Sequence, residues 1–371
     1  MSSGRRSFYI LLPVLSALVA LLLAELLLAL FYPIPYSLEV NMYFEPDPYT
    51  GFRNKPLSRG TYPSGIEAMA NSRGHRDDEV SVPKDQDVFR ILLVGDSFTV
   101  GANVEQAEVY GQVLEDLLNE GAGKPVEVVN TGVGGWSPFQ YAQYLEHYGA
   151  EFAPDLVLVG LFVGNDLFID RFAIEQTLTA VLGRRVSREA ALDRTIRLKV
   201  FAYEHSHLFR ALTSAAPENI NFNRTDCGDF GDGYYTEVQK KRLSTHLSRP
   251  AADDLKLLDR NVAELGRMRA QAEELGAAFV VVVFPDENQI NPLLQTEVIS
   301  PGEESRYDFD MPQKVLHERL DEAGIVWVDM LDTIRSDSRC LFMNDTHWVP
   351  AGHALVAEQV RGFLQAQRLV P

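Results

Sequence analysis

The chain has 371 residues, which is enough for one large or two ordinary domains with a sizeable core. It has 34 Lys and Arg against 52 Asp and Glu, and the net charge of −18 argues against a nucleic-acid partner, because phosphate binding requires clustered basic residues. The two cysteines, Cys227 and Cys340, show no spacing typical of a zinc site, so no metal or other cofactor is expected. The sequence leaves open whether the two form a disulfide.

The N-terminus combines a short basic stretch with a long apolar run. Residues 1–7 contain Arg5 and Arg6, and residues 8–32 are long enough to span a hydrocarbon core, with Glu25 as their only charge. The run exceeds the apolar region of a usual signal peptide, so an uncleaved signal-anchor helix is favoured over a cleaved signal. The two arginines predict a cytoplasmic N-terminus and a single-pass protein of the cell membrane, with the remainder of the chain on the periplasmic or extracellular side.

Residues 33–86 are rich in Pro, Gly, Tyr and Asn and show no sustained periodicity. This composition predicts a juxtamembrane connector between the transmembrane helix and a domain formed by residues 87–371. Arg76 follows a turn-forming stretch of the connector. Packing of this stretch along the domain is favoured over an approach of Arg76 to the rim of a functional site.

From residue 87 onwards, apolar strands alternate with helical patterns. The predicted strands are 89–95, 126–129, 155–162, 278–284 and 326–328, and the predicted helices are 109–119, 138–148, 252–276, 312–323 and 351–368. This alternation predicts an α/β fold, a flavodoxin-like three-layer sandwich around a five-stranded parallel sheet. Residues 167–255 are too long for a simple crossover and show mixed helical character, so they are predicted to be a helical insertion after the third strand.

Chemically suggestive residues follow four of these five strands. In chain order the motifs are Gly95-Asp96-Ser97, Asn130-x-Gly132-x-x-Gly135, Gly164-Asn165-Asp166 and Asn344-Asp345-Thr346-His347-Trp348. Because the carboxyl ends of parallel strands meet at one edge of a sheet, we expect these motifs to converge. Together they supply a hydroxyl nucleophile, a base, an orienting carboxylate and donors for an oxyanion, which are the parts of an acyl-transfer site.

The four motifs resemble those of the SGNH hydrolases, also called GDSL esterases. The resemblance runs from about residue 89 to residue 371, apart from the insertion. It implies that Ser97 is the nucleophile and His347 the general base. It also implies that the backbone N–H groups of Ser97 and Gly135 and the side-chain amide of Asn165 form the oxyanion hole.

The acid of this chain departs from the commonest family pattern. That pattern places the acid three residues before the histidine, where this chain has Asn344. Asp345, two residues before His347, is therefore predicted to orient the imidazole. The sequence Asp-x-His-Trp resembles the membrane-associated branch of the family that includes polysaccharide O-acetyltransferases.

The resemblance and the N-terminal run together predict a membrane-anchored serine esterase or O-acyltransferase that works through an acyl-Ser97 intermediate. The expected substrate is an ester, most simply an O-acetyl group, on a cell-envelope glycan or lipid. The expected contact with the membrane is the N-terminal helix, and a membrane acyltransferase is a further candidate partner.

Two other interpretations remain open at this point. One is a metal-dependent hydrolase that uses Asp345, His347 and His353. The other is a non-catalytic glycan-binding module on the same fold. After the fourth strand, Asp286 and Gln289 either line the pocket or belong to a solvated loop.

Overall fold

The computed structural model describes residues 3–32, 44–121, 123–167, 179–181, 184–186, 194, 198, 201–202, 205–213, 221–231 and 233–371. At its centre lies a five-stranded parallel sheet with the strand order β2-β1-β3-β4-β5. Its strands are β1 (Phe89–Gly95), β2 (Val126–Asn130), β3 (Leu156–Phe162), β4 (Ala278–Phe284) and β5 (Val326–Asp329). This order is that of the flavodoxin-like folds, and the predicted five-stranded parallel sheet is confirmed.

The helices of the described residues follow the predicted alternation. They are α1 (Ser3–Phe31), α2 (Ser97–Val100), α3 (Tyr110–Asn119), α4 (Pro138–Tyr148), α5 (Val163–Asp166), α6 (His207–Thr213), α7 (Tyr234–Arg242), α8 (Ala252–Glu274), α9 (Pro292–Val298), α10 (Met311–Glu322), α11 (Leu331–Ser336) and α12 (Pro350–Ala366). Short 3₁₀ turns lie at Gln106–Glu108, Gly149–Phe152, Leu243–His246, Glu287–Gln289 and Glu304–Arg306.

The sheet is covered by helices on both faces. Leu92 and Val94 of β1 point into one core with side chains of α4, α8 and α10. Ile91 and Leu93 point into a second core with side chains of α3, α11 and α12. Successive residues of a strand face opposite sides, so a strand buried on both faces must be apolar throughout. This is why a continuous apolar run in the sequence predicts a central strand.

The N-terminal segment contains structure that its composition did not predict. Two short antiparallel hairpins pair Phe44–Asp47 with Gly51–Asn54 and Arg59–Thr61 with Glu67–Met69. Strands of three or four residues are too short to show the alternation of apolar and polar residues by which a strand is predicted from sequence. The segment packs on the domain, and we call residues 44–80 the N-terminal strap. The domain boundary at residue 86 stays a prediction.

Helix α1 covers most of the run that we predicted to be transmembrane, residues 8–32. Among the described residues there is no helix with both the length and the apolarity that a membrane span needs. The transmembrane helix of our prediction is therefore not supported. Within α1, the Glu25 carboxylate accepts hydrogen bonds from Ser206 Oγ at 2.6 Å and from the backbone N–H groups of His207 at 2.7 Å and Leu208 at 2.9 Å. This charged side chain thus contacts the start of α6.

The insertion is described only in part, and much of residues 167–255 lies outside the described residues. The described part contains α6 and α7, as predicted, and also an antiparallel hairpin of Thr179–Val181 with Arg184–Val186. Cys227 of the insertion forms a disulfide with Cys340, with the two Cα atoms 5.3 Å apart. The disulfide ties the insertion to the loop that carries His347.

Candidate active site

The nucleophile candidate lies at a tight turn between β1 and α2. Ser97 is the first residue of α2, and the Asp96 carboxylate caps the helix by accepting a hydrogen bond from Phe98 N at 2.9 Å. Gly95 is required at the turn, because a Cβ there would lie 2.0 Å from Thr99 Oγ1. Ser97 is half-buried while Asp96 and Phe98 are fully buried. The turn therefore presents the serine at the carboxyl edge of the sheet.

The loop after β2 runs directly beside this turn. A Cβ on Gly132 would lie 2.6 Å from Val100 N, so this glycine allows the loop backbone to pack against α2. A Cβ on Gly134 would lie 3.8 Å from Ser97 Cβ, which places the loop next to the serine. Gly135 has a φ of +83°, in the left-handed region that favours glycine. The second motif thus meets the first, as predicted.

The third motif approaches the same turn from β3. Asn165 lies in α5, and its Nδ2 donates to Asp96 Oδ2 at 3.2 Å. An amide carries two N–H groups, so Asn165 retains a second donor for a substrate oxygen. Asp166 is buried, and its carboxylate accepts from Phe162 N at 3.0 Å and from the Tyr141 hydroxyl at 3.0 Å. Asp166 therefore stabilises the turn that carries Asn165.

His347 and Asp345 form a hydrogen-bonded pair on the loop before α12. His347 Nδ1 lies 3.0 Å from Asp345 Oδ2, and the His347 backbone N–H donates to Asp345 Oδ1 at 3.0 Å. Thr346 between them has a φ of +84°, a turn that lets both side chains face each other. The ring of His347 lies 5.3 Å from that of Phe98, centroid to centroid, so the pair lies beside the residue that follows Ser97.

The environment of His347 favours its charged form. Burial lowers the pKa of His347, but the charge of Asp345 and the hydrogen bond to it outweigh burial, and Asp96 adds to them, so the pKa is raised. Burial likewise raises the pKa of Asp345, but the His347 charge and the hydrogen bonds to the carboxylate hold it below its usual value. An ionised carboxylate beside an imidazole is the arrangement that stabilises an imidazolium during acyl transfer.

His353, Asp286 and Gln289 form no hydrogen bond with this pair in the part of the chain that the structure describes. His353 is buried, and its Nδ1 accepts from Tyr110 N at 3.3 Å. Burial lowers the pKa of His353 to about 3. Asp286 and Gln289 neither line a pocket nor belong to a solvated loop, which were the two predicted alternatives. Both are buried and hydrogen-bonded within the turn after β4. The described residues contain no group of three His, Cys, Asp or Glu side chains placed to hold a metal ion.

Sequence reasoning missed three residues at the site. Asn103 Nδ2 donates to Asp345 Oδ2 at 2.5 Å. The ring of Phe44, on the strap, lies 3.9 Å from the position of a Cβ on Gly134. Arg242 of α7 pairs with Asp286 at 3.0 Å, and its charge opposes the rise in the pKa of His347. None of the three lies in a motif. The residue type of Asn103 was the only signal in the sequence, because asparagine readily adopts the left-handed backbone conformation that the structure shows at this position.

The C-terminal part of the chain matches a known family in sequence. Residues 243–371 match the model described as the SGNH hydrolase-like domain of the acetyltransferase AlgX. This stretch contains the Asp345 and His347 pair. No curated protein matches the chain.

Solved structures to which this chain is similar include TesA, at 15% identity and a TM-score of 0.39, covering 75% of this chain and 98% of TesA. A lipase/acylhydrolase from Enterococcus faecalis has 12% identity and a TM-score of 0.39, with 75% and 96% covered. A catalytic mutant of Axe2, an acetylxylan esterase from Geobacillus stearothermophilus, has 14% identity and a TM-score of 0.36, with 75% and 93% covered. The family match confirms, over residues 243–371, the resemblance that the motifs predicted: this part of the chain resembles the SGNH-type enzymes that act on ester bonds as hydrolases or O-acyltransferases, in the branch that includes an acetyltransferase.

Proposed function

We propose that this enzyme removes or transfers an O-acetyl group on a cell-envelope glycan, through an acetyl-Ser97 intermediate. The observation that carries the proposal is the His347–Asp345 pair beside the turn that bears Ser97. A serine hydroxyl is a poor nucleophile until a base takes its proton. The neutral imidazole of His347 is the base, and Asp345 holds its Nδ1–H, which leaves Nε2 to accept the serine proton.

The reaction then proceeds in two halves. The Ser97 oxygen attacks the acetyl carbonyl while its proton passes to His347, and the oxyanion that forms accepts hydrogen bonds from the N–H groups of Ser97 and Gly135 and from Asn165. The tetrahedral species collapses as His347 returns the proton to the departing sugar oxygen. In the second half, a water or a second sugar hydroxyl gives its proton to His347 and attacks the acetyl-serine. The bond from the acetyl carbon to the Ser97 oxygen then breaks, and His347 returns the proton to that oxygen, which restores the free serine and releases acetate or the acetylated sugar. Each donor of such an oxyanion hole is worth on the order of 3 kcal/mol.

The glycan as substrate is supported by the family match, whose model is that of an acetyltransferase. We propose that the enzyme works outside the cytoplasm. The Cys227–Cys340 disulfide supports this location, because disulfides persist in oxidising compartments and are rare in the cytosol. The strong acidity of the chain, with a net charge of −18, fits a neutral acetylated sugar better than a polyphosphate.

The test uses the purified chain with p-nitrophenyl acetate and a fluorophosphonate probe. We expect hydrolysis of the ester, labelling that peptide mapping assigns to Ser97, and loss of both in Ser97→Ala. Ser244→Ala is the matched control, because Ser244 is an exposed serine in the 3₁₀ turn that follows α7 and its loss should change neither. Activity that persists in Ser97→Ala would refute the proposal.

A second measurement separates hydrolysis from transfer. The acetyl-enzyme is formed from p-nitrophenyl acetate in the presence of an unacetylated glycan oligosaccharide. Acetylated oligosaccharide with a matching fall in free acetate identifies a transferase, whereas unchanged acetate release identifies an esterase. Binding of the oligosaccharide without turnover of any ester would instead favour a glycan-binding module.

A further inference from the structure

Asn103 connects the loop after the nucleophile to the acid of the catalytic pair. Its Nδ2 donates to Asp345 Oδ2 at 2.5 Å, across 242 residues of sequence. Asn103 is 3% exposed, so this hydrogen bond is shielded from water. We propose that Asn103 is a positioning residue that holds the Asp345 carboxylate in line with His347, so that four residues rather than three form the catalytic relay. The inference rests on the proposed roles of Ser97, His347 and Asp345.

The orientation of the Asn103 amide follows from its two neighbours. Its Oδ1 accepts a long hydrogen bond from Ser64 N, on the strap, at 3.4 Å. Its other end faces a carboxylate, and an amide oxygen placed there would be repelled by the Asp345 oxygen. The amide nitrogen therefore points to Asp345, and the strap and the carboxylate fix the same orientation.

Asp345 needs this donor because, among the described residues, its other hydrogen bonds come from a single residue. Its side chain is 6% exposed, and besides Asn103 its hydrogen bonds come from the backbone N–H and the Nδ1 of His347. These two contacts fix Asp345 relative to His347, but they do not fix the pair relative to Ser97. Asn103 supplies the missing contact, because it belongs to the loop that follows α2 and Ser97. A buried carboxylate that loses a donor is also less well stabilised in its charged form.

The backbone of Asn103 is held independently of its side chain. The Arg76 guanidinium donates to the carbonyl oxygens of Val100, at 3.1 Å, and of Gly101 and Val104, so it secures the loop on both sides of Asn103. Asn103 has a φ of +65°, which asparagine and glycine both adopt readily. Asn103→Gly therefore removes the amide and keeps the backbone conformation. This makes glycine a cleaner replacement than alanine.

The first measurement compares Asn103→Gly with the parent enzyme on p-nitrophenyl acetate. We expect kcat to fall roughly 10-fold to 100-fold, the range for a lost hydrogen bond to a charged group, with KM within about twofold. The rate of fluorophosphonate labelling should fall in parallel, because it also depends on activation of Ser97. The matched control is Asn223→Gly, at an exposed asparagine, which should change neither rate.

The second variant, Asn103→Asp, separates positioning from a structural role. A protonated Asp at this position donates to Asp345 as the amide does, whereas an ionised one repels it, and the two carboxylates share one proton. We therefore expect the ratio of variant to parent kcat/KM to rise as the pH is lowered, while the ratio for Asn103→Gly stays flat. His347 is also faced by Asp96, Arg242 and His353, and these are the same in both variants, so the ratio isolates position 103.

Two results would overturn the inference. One is a kcat of Asn103→Gly within twofold of the parent. The other is a loss of activity in both variants that is independent of pH and follows a lowered melting temperature, which would make Asn103 a residue of the loop only. If Ser97→Ala is inactive in the same assay, these results remove the role of Asn103 alone. If Ser97→Ala is active, the proposed function itself fails.

Discussion

Asn165 Nδ2 donates to Asp96 Oδ2 at 3.2 Å, so the proposed oxyanion donor is oriented by the residue that precedes the nucleophile. The other oxygen of Asp96 caps α2 by accepting from Phe98 N at 2.9 Å. One buried carboxylate thereby fixes both the helix that begins at Ser97 and the amide opposite it. The same charge lies close enough to His347 to help raise its pKa.

We predict that Asp96→Asn lowers kcat and shifts the acid limb of the kcat/KM profile to lower pH. The parent limb should lie above the value of about 6.5 for an ordinary imidazole, because the pKa of His347 is raised and the base must be neutral to act. An Asn at position 96 can still cap α2, but it removes a negative charge near His347 and an acceptor for Asn165.

The measurement is kcat/KM of p-nitrophenyl acetate hydrolysis across pH, with Asp332→Asn as control. The Asp332 side chain is 98% exposed, so its replacement should leave the profile unchanged. An acid limb of Asp96→Asn that is unmoved or lies at higher pH would contradict the prediction.

A second prediction concerns the position of the acid. Asp345→Asn should lower kcat by about 10⁴-fold, because the amide no longer stabilises the imidazolium and favours the wrong tautomer. Asn344→Ala, at the position where the commonest family pattern has its acid, should leave kcat within a few-fold. Asn344 is buried, and neither polar atom of its side chain has a hydrogen-bond partner among the described residues. Steady-state kinetics of both purified variants show which of the two residues orients His347. A larger loss of kcat in Asn344→Ala than in Asp345→Asn would assign that role to Asn344.

Much of the fold was predictable because local signals were strong. Strand β4, Ala278–Phe284, matches the prediction at both ends, since a continuous run of Val and Phe is stopped by Pro285. Helix α4, Pro138–Tyr148, also matches, because Pro138 follows Ser137, which forms a capping box with Gln140. The first three motifs were predictable for the same reason, because each directly follows a strand, whereas the fourth is separated from β5 by α11.

What escaped prediction depends on contacts between distant parts of the chain. The hydrogen bond of Asn103 to Asp345 joins two residues that lie 242 positions apart in the sequence, and neither their residue types nor their spacing predicts it. The strap reaches the site through Phe44 and holds the second motif through Asn54, whose Nδ2 donates to Gly132 O at 3.3 Å. Its hairpins are set by packing on the domain, and a loop-like composition gives no sign of them.

A third prediction compares two glycines of the second motif. A Cβ on Gly134 meets Ser97 Cβ at 3.8 Å and Phe44 Cζ at 3.9 Å, which is ordinary van der Waals contact. Gly134→Ala should therefore fold normally but narrow the space beside the nucleophile. We expect its kcat/KM for p-nitrophenyl butyrate to fall severalfold more than for p-nitrophenyl acetate.

Gly132→Ala is the contrasting variant. Its Cβ would lie 2.6 Å from Val100 N and 2.9 Å from Thr99 C, both backbone atoms that cannot move aside cheaply. We expect a lower melting temperature and an equal loss of activity on both esters. An unchanged ester preference in Gly134→Ala would show that Gly134 does not border the acyl group.

The last prediction concerns stability against pH and rests on Asp77, next to Arg76 of the strap. Its Oδ2 accepts from Asn130 N, at the end of β2, at 2.8 Å. Burial raises the pKa of Asp77 to about 7, against hydrogen bonds that lower it, and Glu115 and Asp78 add like charge. Between the pKa of about 3.9 of an unfolded aspartate and pH 7, the folded state therefore holds a proton that the unfolded state has released. The free energy of unfolding must fall as the pH rises through this window.

Asp77→Asn mimics the protonated acid, so the variant should melt a few degrees above the parent at pH 8 and level with it near pH 4.5. Thermal unfolding at both pH values, with Asp332→Asn as control because the Asp332 side chain is 98% exposed, measures the difference. A variant that is no more stable than the parent at pH 8 would mean that ionisation of Asp77 does not destabilise the folded state.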